Sequence, residues 1–187
     1  GVLAFHSAQG LLPDGLAFDI PGADPTPPVK AFRDYFEAGQ QSLDLHFAIP
    51  GYRDGGVNLS APERGVDTRY LAEVVTARDE STGTSEKPIQ VARKNFRILA
   101  EGEPRRGTVS MRVARVMRSA ADTYQLDPQF VPPLLDFTAN EYLVSVARRL
   151  VEILSAKSGQ LSGLRRQKNQ SLAEFTTADI ANFWLLY

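Results

Sequence analysis

Ser42–Pro50 reads SLDLHFAIP, and its spacing decides the class of fold. Leu43, Leu45, Phe47 and Ile49 alternate with Asp44, His46 and Ala48. A period of two is the mark of a β-strand with one face buried, and Pro50 and Gly51 close it. The neighbouring stretches follow the same grammar. TRYLAEVVTARD (Thr68–Asp79) carries β-branched Val74, Val75 and Thr76. PIQVARKNFRIL (Pro88–Leu99) places Ile89 and Val91, then Phe96 and Ile98, at alternate positions. GTVSMRVARV (Gly107–Val116) sets Val109, Met111 and Val113 on one side. The polar stretches GYRDGG (Gly51–Gly56) and DESTGTSEKP (Asp79–Pro88) separate these runs and read as turns. From Val2 to about Asp136, short extended runs joined this way predict an antiparallel β-sandwich or barrel.

Near Thr138 the period changes. Thr138 and Glu141 have the spacing of a capping box, which predicts a helix start there. Leu143, Ala147, Leu150, Leu154, Lys157, Leu161, Leu164 and Lys168 then recur at alternating steps of four and three. This is a heptad seam of leucines interrupted by lysines. Gly159 and Gly163 are poor helix formers, so a break is expected near them. Ile180, Phe183, Trp184 and Tyr187 share one face of a second helical piece. Residues 138–187 are therefore expected to form a helical, coiled-coil or bundle-like extension. The pattern alone leaves open whether the seam packs on the sheet or against other copies of the chain.

Composition narrows the function. The 187 residues are 43% hydrophobic, with 21 basic and 22 acidic residues and a formal net charge of -1. Such a balance supplies no electrostatic footprint for nucleic acid or anionic lipid. The absence of cysteine removes disulfides and thiolate catalysis and fits a reducing compartment. No apolar run approaches the roughly 20 residues that span a bilayer, and no insertion into the membrane is expected. The chain opens on Gly1 and closes on Tyr187 inside an apolar run, which reads as a fragment cut at both ends.

The sequence carries no recognisable catalytic set, metal site or cofactor motif. His6 and His46 lie far apart and outside any ligand motif. His46 reads as a half-exposed strand residue. Pro13-Asp14-Gly15 has the composition of a tight turn: proline fixes φ, aspartate bonds local backbone and glycine permits positive φ. GYRDGG lacks the Gly-Lys-Ser/Thr ending of a phosphate loop. DESTGTSE lacks the spacing of a calcium loop. Arg105-Arg106, Arg148-Arg149 and RRQK (Arg165–Lys168) read as solvated basic clusters.

Three stretches in order carry a family resemblance: GLLPDGLAFDIPGADPTPP (Gly10–Pro28), DPQFVPPLLDFTANEYL (Asp127–Leu143) and ANFWLLY (Ala181–Tyr187). VARKNFRILAE (Val91–Glu101) and MRVARV (Met111–Val116) lie between them. Together they resemble the TssK family (also VasE or ImpJ) of type VI secretion baseplate proteins. The resemblance implies a cytoplasmic homotrimer, with a β-sandwich shoulder, a helical neck and a head. The shoulder would dock on the wedge proteins TssF and TssG. The head would contact the TssJ-TssL-TssM membrane complex at the cytoplasmic face of the inner membrane. Here residues 1–137 would be most of the shoulder and 138–187 the start of the neck. The head and the family's opening segment do not match anything in this chain. Membrane-complex contact is therefore expected only through the absent head.

The resemblance implies a structural adaptor rather than an enzyme. Leu143, Ala147, Leu150, Leu154, Leu161 and Leu164 would form the neck seam. Pro13, Asp14 and Gly15 would form a hairpin turn whose arms pack through Leu11, Leu12, Leu16 and Phe18. Pro21, Pro25, Pro27 and Pro28 would hold the next segment extended, as Pro132 and Pro133 would hold Phe130 and Val131. The alternative reading is a phage-like or carbohydrate-binding β-sandwich using Tyr35, Phe36, Tyr52 and Tyr70. A hydrolase with paired carboxylates is a third.

Overall fold

The computed structural model describes residues 1–61 and 64–167, together with Thr177, Ile180, Ala181 and Trp184. For residues 163–167 the description is of the backbone. The chain divides into two compact units, Gly1–Leu135 and Asp136–Tyr187.

The first unit is mainly β, built around the strand that SLDLHFAIP forms. The strands in order are β1 (Val2–Leu3), β2 (Ala8–Leu11), β3 (Ala17–Ile20), β4 (Lys30–Ala31), β5 (Ser42–Pro50) and β6 (Leu59–Ser60). They continue as β7 (Tyr70–Arg78), β8 (Glu86–Lys94), β9 (Arg97–Ala100), β10 (Thr108–Arg118) and β11 (Tyr124–Leu126). The main sheet has the order β11-β10-β5-β9, with every neighbouring pair antiparallel. Two small antiparallel pairs, β1-β4 and β2-β3, accompany it. A third sheet, β6-β7-β8, combines the antiparallel β7-β8 pair with a two-residue parallel pairing of β6 and β7. That parallel pairing departs from the all-antiparallel expectation. It pairs Leu59 with Tyr70 and Ser60 with Leu71.

Alternation on β5 does what the sequence predicts. Leu43, Leu45, Phe47 and Ile49 are fully buried and supply one face to two apolar clusters. Phe47 and Ile49 join Leu12, Phe18, Ile20 and Phe96. Leu43 and Leu45 join Phe32, Ile98, Ala100 and Val116. Phe47 is the hub of the first, with ring centroids 5.0 Å from Phe5, 5.0 Å from Phe18 and 4.7 Å from Phe96. Tilted packing of this kind adds to the burial of apolar area. The β2-β3 hairpin thus covers the sheet at one end through Phe18 and Ile20, and β4 leads into Phe32, which covers the other.

β10 carries the one phase change. Its register against β5 shifts between Arg112 and Ala114, so Val113 is the extra residue of a bulge. Val109, Met111 and Val113 pack on the first cluster, while Ala114 and Val116 belong to the second. The bulge lets both sets face inward although an uninterrupted strand would place them on opposite faces.

The second unit opens with a short 3-10 turn, Phe137–Ala139, and continues as α1 (Glu141–Gln167). The cap differs from the expected Thr138–Glu141 box. Asp136 accepts from the Thr138 backbone N–H at 2.9 Å, and Asn140 accepts from the Leu143 N–H at 3.0 Å. Asn140 is therefore the N-cap, because its Oδ1 meets an amide of the first turn that the helix leaves unpaired. The expected break near Gly159 and Gly163 is absent: α1 is continuous to Gln167. A glycine costs about 1 kcal/mol in a helix, which a 27-residue element absorbs without breaking.

Candidate functional site

Among the described residues no group of three or more histidine, aspartate or glutamate side chains could hold a metal ion. His46 is half-buried on β5, with its Nε2 against the Arg105 guanidinium. Burial first, and the Arg105 charge second, hold its pKa below the ordinary 6.5. A neutral imidazole facing a cation is an acceptor of one hydrogen bond. Among the described residues no carboxylate is shown hydrogen-bonded to the ring to orient it as a catalytic base.

The Pro13-Asp14-Gly15 stretch joins β2 to β3. The Leu12 N–H donates to the Leu16 carbonyl at 2.9 Å and the Gly15 N–H to the Leu12 carbonyl at 2.8 Å. Gly15 has φ +83°, a left-handed conformation that glycine adopts without steric cost. Asp14 Oδ1 accepts from the Leu16 N–H at 3.2 Å. Leu12 and Phe18 are buried and Leu16 packs against them, but Leu11 faces solvent. The expectation that Leu11 helps pack the arms is corrected, since alternation along β2 turns Gln9 and Leu11 outward.

The other oxygen of Asp14 has a partner that sequence reading missed. Arg69 Nη2 lies 2.5 Å from Asp14 Oδ2, and Arg69 Nη1 donates to the Pro50 carbonyl at 3.0 Å. Arg69 is 4% exposed. The segment after the turn is also tied down: Asp24 is buried, accepting from the Asp19 N–H and from Lys94 Nζ, at 2.9 and 2.8 Å. Pro27 is buried, whereas Pro21, Pro25 and Pro28 are exposed. Pro132 is half-buried and Pro133 exposed, in a stretch assigned neither to a strand nor to a helix.

The aromatic candidates for a sugar surface have separate engagements. Lys30 sits over the Tyr35 ring at 4.2 Å, and the Tyr35 hydroxyl donates to Glu103 at 3.1 Å. Phe36 packs on Phe32 and Tyr124. Tyr52 is exposed in the loop after β5, and Tyr70 is half-buried at the start of β7.

The remaining surface of note is α1. Of the expected seam, Leu143, Ala147, Leu150, Leu154 and Leu161 fall on this helix, with Lys157 among them. Leu143, Ala147 and Leu161 are half-buried, whereas Leu150 is 54% exposed and Leu154 also open. Leu164 is helical in backbone; its side chain, like Lys168, lies outside the description. Val146, Val151 and Ile153 are exposed beside the seam. At 3.6 residues per turn these positions flank it on both sides. The opposite side is polar, carrying Arg148 and the Arg149–Glu152 pair at 3.2 Å. Ile180 and Trp184 are helical and Trp184 is 79% exposed. Phe183 and Tyr187, expected on the same face, lie outside the described residues. What the two units offer is a braced β-structure and an uncovered apolar stripe.

The chain matches, over residues 1–187, the model of the bacterial type VI secretion family that includes EvfL, ImpJ and VasE. It belongs to that family. The chain is 33% identical over 165 residues to the type VI secretion system baseplate component TssK1 of Pseudomonas aeruginosa. The alignment takes in 87% of this chain and 36% of that protein. Among solved structures, a chain of the baseplate complex from the type VI secretion system superposes with a TM-score of 0.81 and 27% identity. That match covers 99% of this VasE/ImpJ-family chain and 59% of the other. A chain of the TssK-TssF-TssG baseplate subcomplex matches with a TM-score of 0.75 and 25% identity, over 96% of this chain and 56% of that one. The chain thus spans about a third to three fifths of the lengths of these relatives.

Proposed function

We propose that the chain is the shoulder and first neck segment of a type VI secretion baseplate subunit, acting as a structural adaptor without catalytic activity. Residues 1–137 form the docking shoulder and residues 138–187 the neck. The observation that carries this reading is the apolar stripe on α1. A single chain leaves Leu150, Leu154, Val146, Val151 and Ile153 exposed on one side, and an amphipathic helix of this kind is stable only when that side is covered. Covering it with the same helix of two further copies makes a trimer. Leu143, Ala147, Leu150, Leu154, Leu161 and Leu164 supply the contact, and Lys157 restricts register.

The shoulder meets TssF and TssG, the partners named in the subcomplex that this chain resembles. Three linked shoulders bind more durably than one, because the second and third contacts form at high effective concentration. No described helix is long and apolar enough to cross a membrane. Placement on the cytoplasmic side of the inner membrane rests on the family's role in the baseplate.

Light scattering of this chain across a concentration series tests the reading. A mass of three chains supports the neck assignment. A single-chain mass at every concentration overturns assembly through these residues, and they are then packing positions within one subunit.

A further inference from the structure

The bulge at Val113 has a second effect, on the outer face of the main sheet. Arg112 and Arg115 are three residues apart, a spacing that puts two side chains on opposite faces of a regular strand. With one residue looped into the bulge they share a face, opposite His46 and Asp44 of β5. Asp44 receives both. Arg112 Nη1 lies 2.8 Å from its Oδ2, and Arg115 donates through Nε at 2.7 Å and Nη2 at 3.3 Å. The carboxylate is 13% exposed. Both guanidinium groups then lie over the ring of Phe130, at 5.3 and 5.8 Å from its centroid. Phe130 belongs to the stretch that leaves β11 toward the end of the first unit. That stretch is also bound by its backbone: the Asp127 N–H donates to the Arg115 carbonyl at 2.8 Å and the Phe130 N–H to the Asp127 carbonyl at 3.2 Å.

We propose that Asp44, Arg112, Arg115 and Phe130 form a clamp that straps residues 127–135 to the outer face of β10 and so fixes where the chain leaves the sheet. The parts are interdependent. Asp44 aligns the two guanidiniums, and the aligned pair makes the cationic platform on which an aromatic ring rests. Neither arginine is needed by the core, which the inward residues of β10 supply. The strap is therefore separable from the fold: removing Asp44's charge loosens residues 127–135 while the two apolar clusters remain. Pro132 and Pro133 stiffen the stretch without giving it backbone donors, and the Phe130 stack and the Asp127 bond tie it to β10.

Hydrogen exchange on the whole chain, read by mass spectrometry, tests the clamp. In Asp44→Asn and in Phe130→Leu, exchange at the Asp127 and Phe130 amides is expected to rise roughly tenfold or more, with a clearly smaller rise at the β5 and β9 amides. The double variant should exchange no faster than the more affected single one, since the two residues act as a unit. Unchanged exchange at 127–130 in both single variants overturns the proposal. So do additive effects in the double variant, and so does an equal rise throughout β5 and β9, which would make the four residues part of the fold rather than a strap on it.

Discussion

Arg69, buried at 4% exposure, joins the Asp14 carboxylate at 2.5 Å and the Pro50 carbonyl at 3.0 Å. One side chain thereby ties the β2-β3 turn to the end of the central strand. Asp14 and Pro50 are far apart in sequence, and the guanidinium reaches both because its donors are fixed in a planar fork.

Removing the carboxylate leaves a buried cation without its counter-charge. Asp14→Ala is expected to destabilise the first unit by about 2–4 kcal/mol, somewhat below a fully buried pair because Asp14 is partly open to water. Asp14→Asn keeps an acceptor for the Leu16 N–H and should recover part of that loss. Chemical denaturation measures both. A change below about 0.5 kcal/mol in Asp14→Ala, the range of an ordinary surface substitution, would show that the pair contributes nothing.

How far the sequence speaks is visible at particular residues. Leu43 to Ile49 are legible because a half-buried strand must alternate. Yet Ala48 and Pro50 are buried as well, because the far end of β5 is covered on its second face, and alternation carries no sign of that. Arg69 was illegible: an arginine reads as solvated until the structure supplies a carboxylate and a carbonyl beside it. The Val113 bulge was equally hidden, since Val109, Met111 and Val113 keep perfect alternation up to the point where the phase slips. The helix was legible from spacing. Which Asx or hydroxyl side chain caps the helix was not, because Asp136, Thr138 and Asn140 all have capping chemistry and the 3-10 turn decides among them.

The cap can be tested directly. Asn140→Ala removes the acceptor at the Leu143 N–H and should cost the helix about 1 kcal/mol, seen as faster exchange at Leu143 and Val144. Thr138→Ala, in the 3-10 turn, should leave those two amides as they were. The reverse ranking would restore Thr138 as the helix cap.

Acid should act in two steps. His46 is held below 6.5 by burial and then by Arg105, so the unfolded chain takes up that proton first. Its contribution is present above about pH 6.5 and falls away as the pH drops below it. Asp44 and Glu103 follow. Burial pushes each upward, but hydrogen bonds from Arg115 and Arg112 outweigh it at Asp44, as do those from Lys30 and the Ala100 N–H at Glu103. Both end below their ordinary 3.8 and 4.5. Their stabilisation is present above those values and is lost as the pH falls through the depressed folded values. At the alkaline side Lys30, raised above 10.5 by Glu103 and Tyr35 against the opposing effect of burial, contributes until the pH rises through its folded value. Thermal melts between about pH 3 and 8 read out the two acid steps. His46→Gln should flatten the first acid step and keep the second. A wild-type Tm unchanged from about pH 7 to 5 would contradict the His46 assignment.

Leu150 lies near the middle of α1 and is 54% exposed in the single chain, with Leu143, Ala147, Leu154 and Leu161 on the same side. In the proposed three-chain assembly it is buried three times over. Replacing it with aspartate removes about 1.5–3 kcal/mol of apolar burial per chain, or roughly three to six orders of magnitude in the trimer's assembly constant. Leu150→Asp should therefore reduce the mass measured by light scattering to that of one chain while the β-sheet signal in circular dichroism persists. Arg149→Ala, on the polar side of the same helix, should leave the mass unchanged. If Leu150→Asp keeps the mass of the parent chain, the seam is not what joins the copies. If Arg149→Ala dissociates them as well, the contact lies on the opposite face of α1 and the apolar stripe serves another partner.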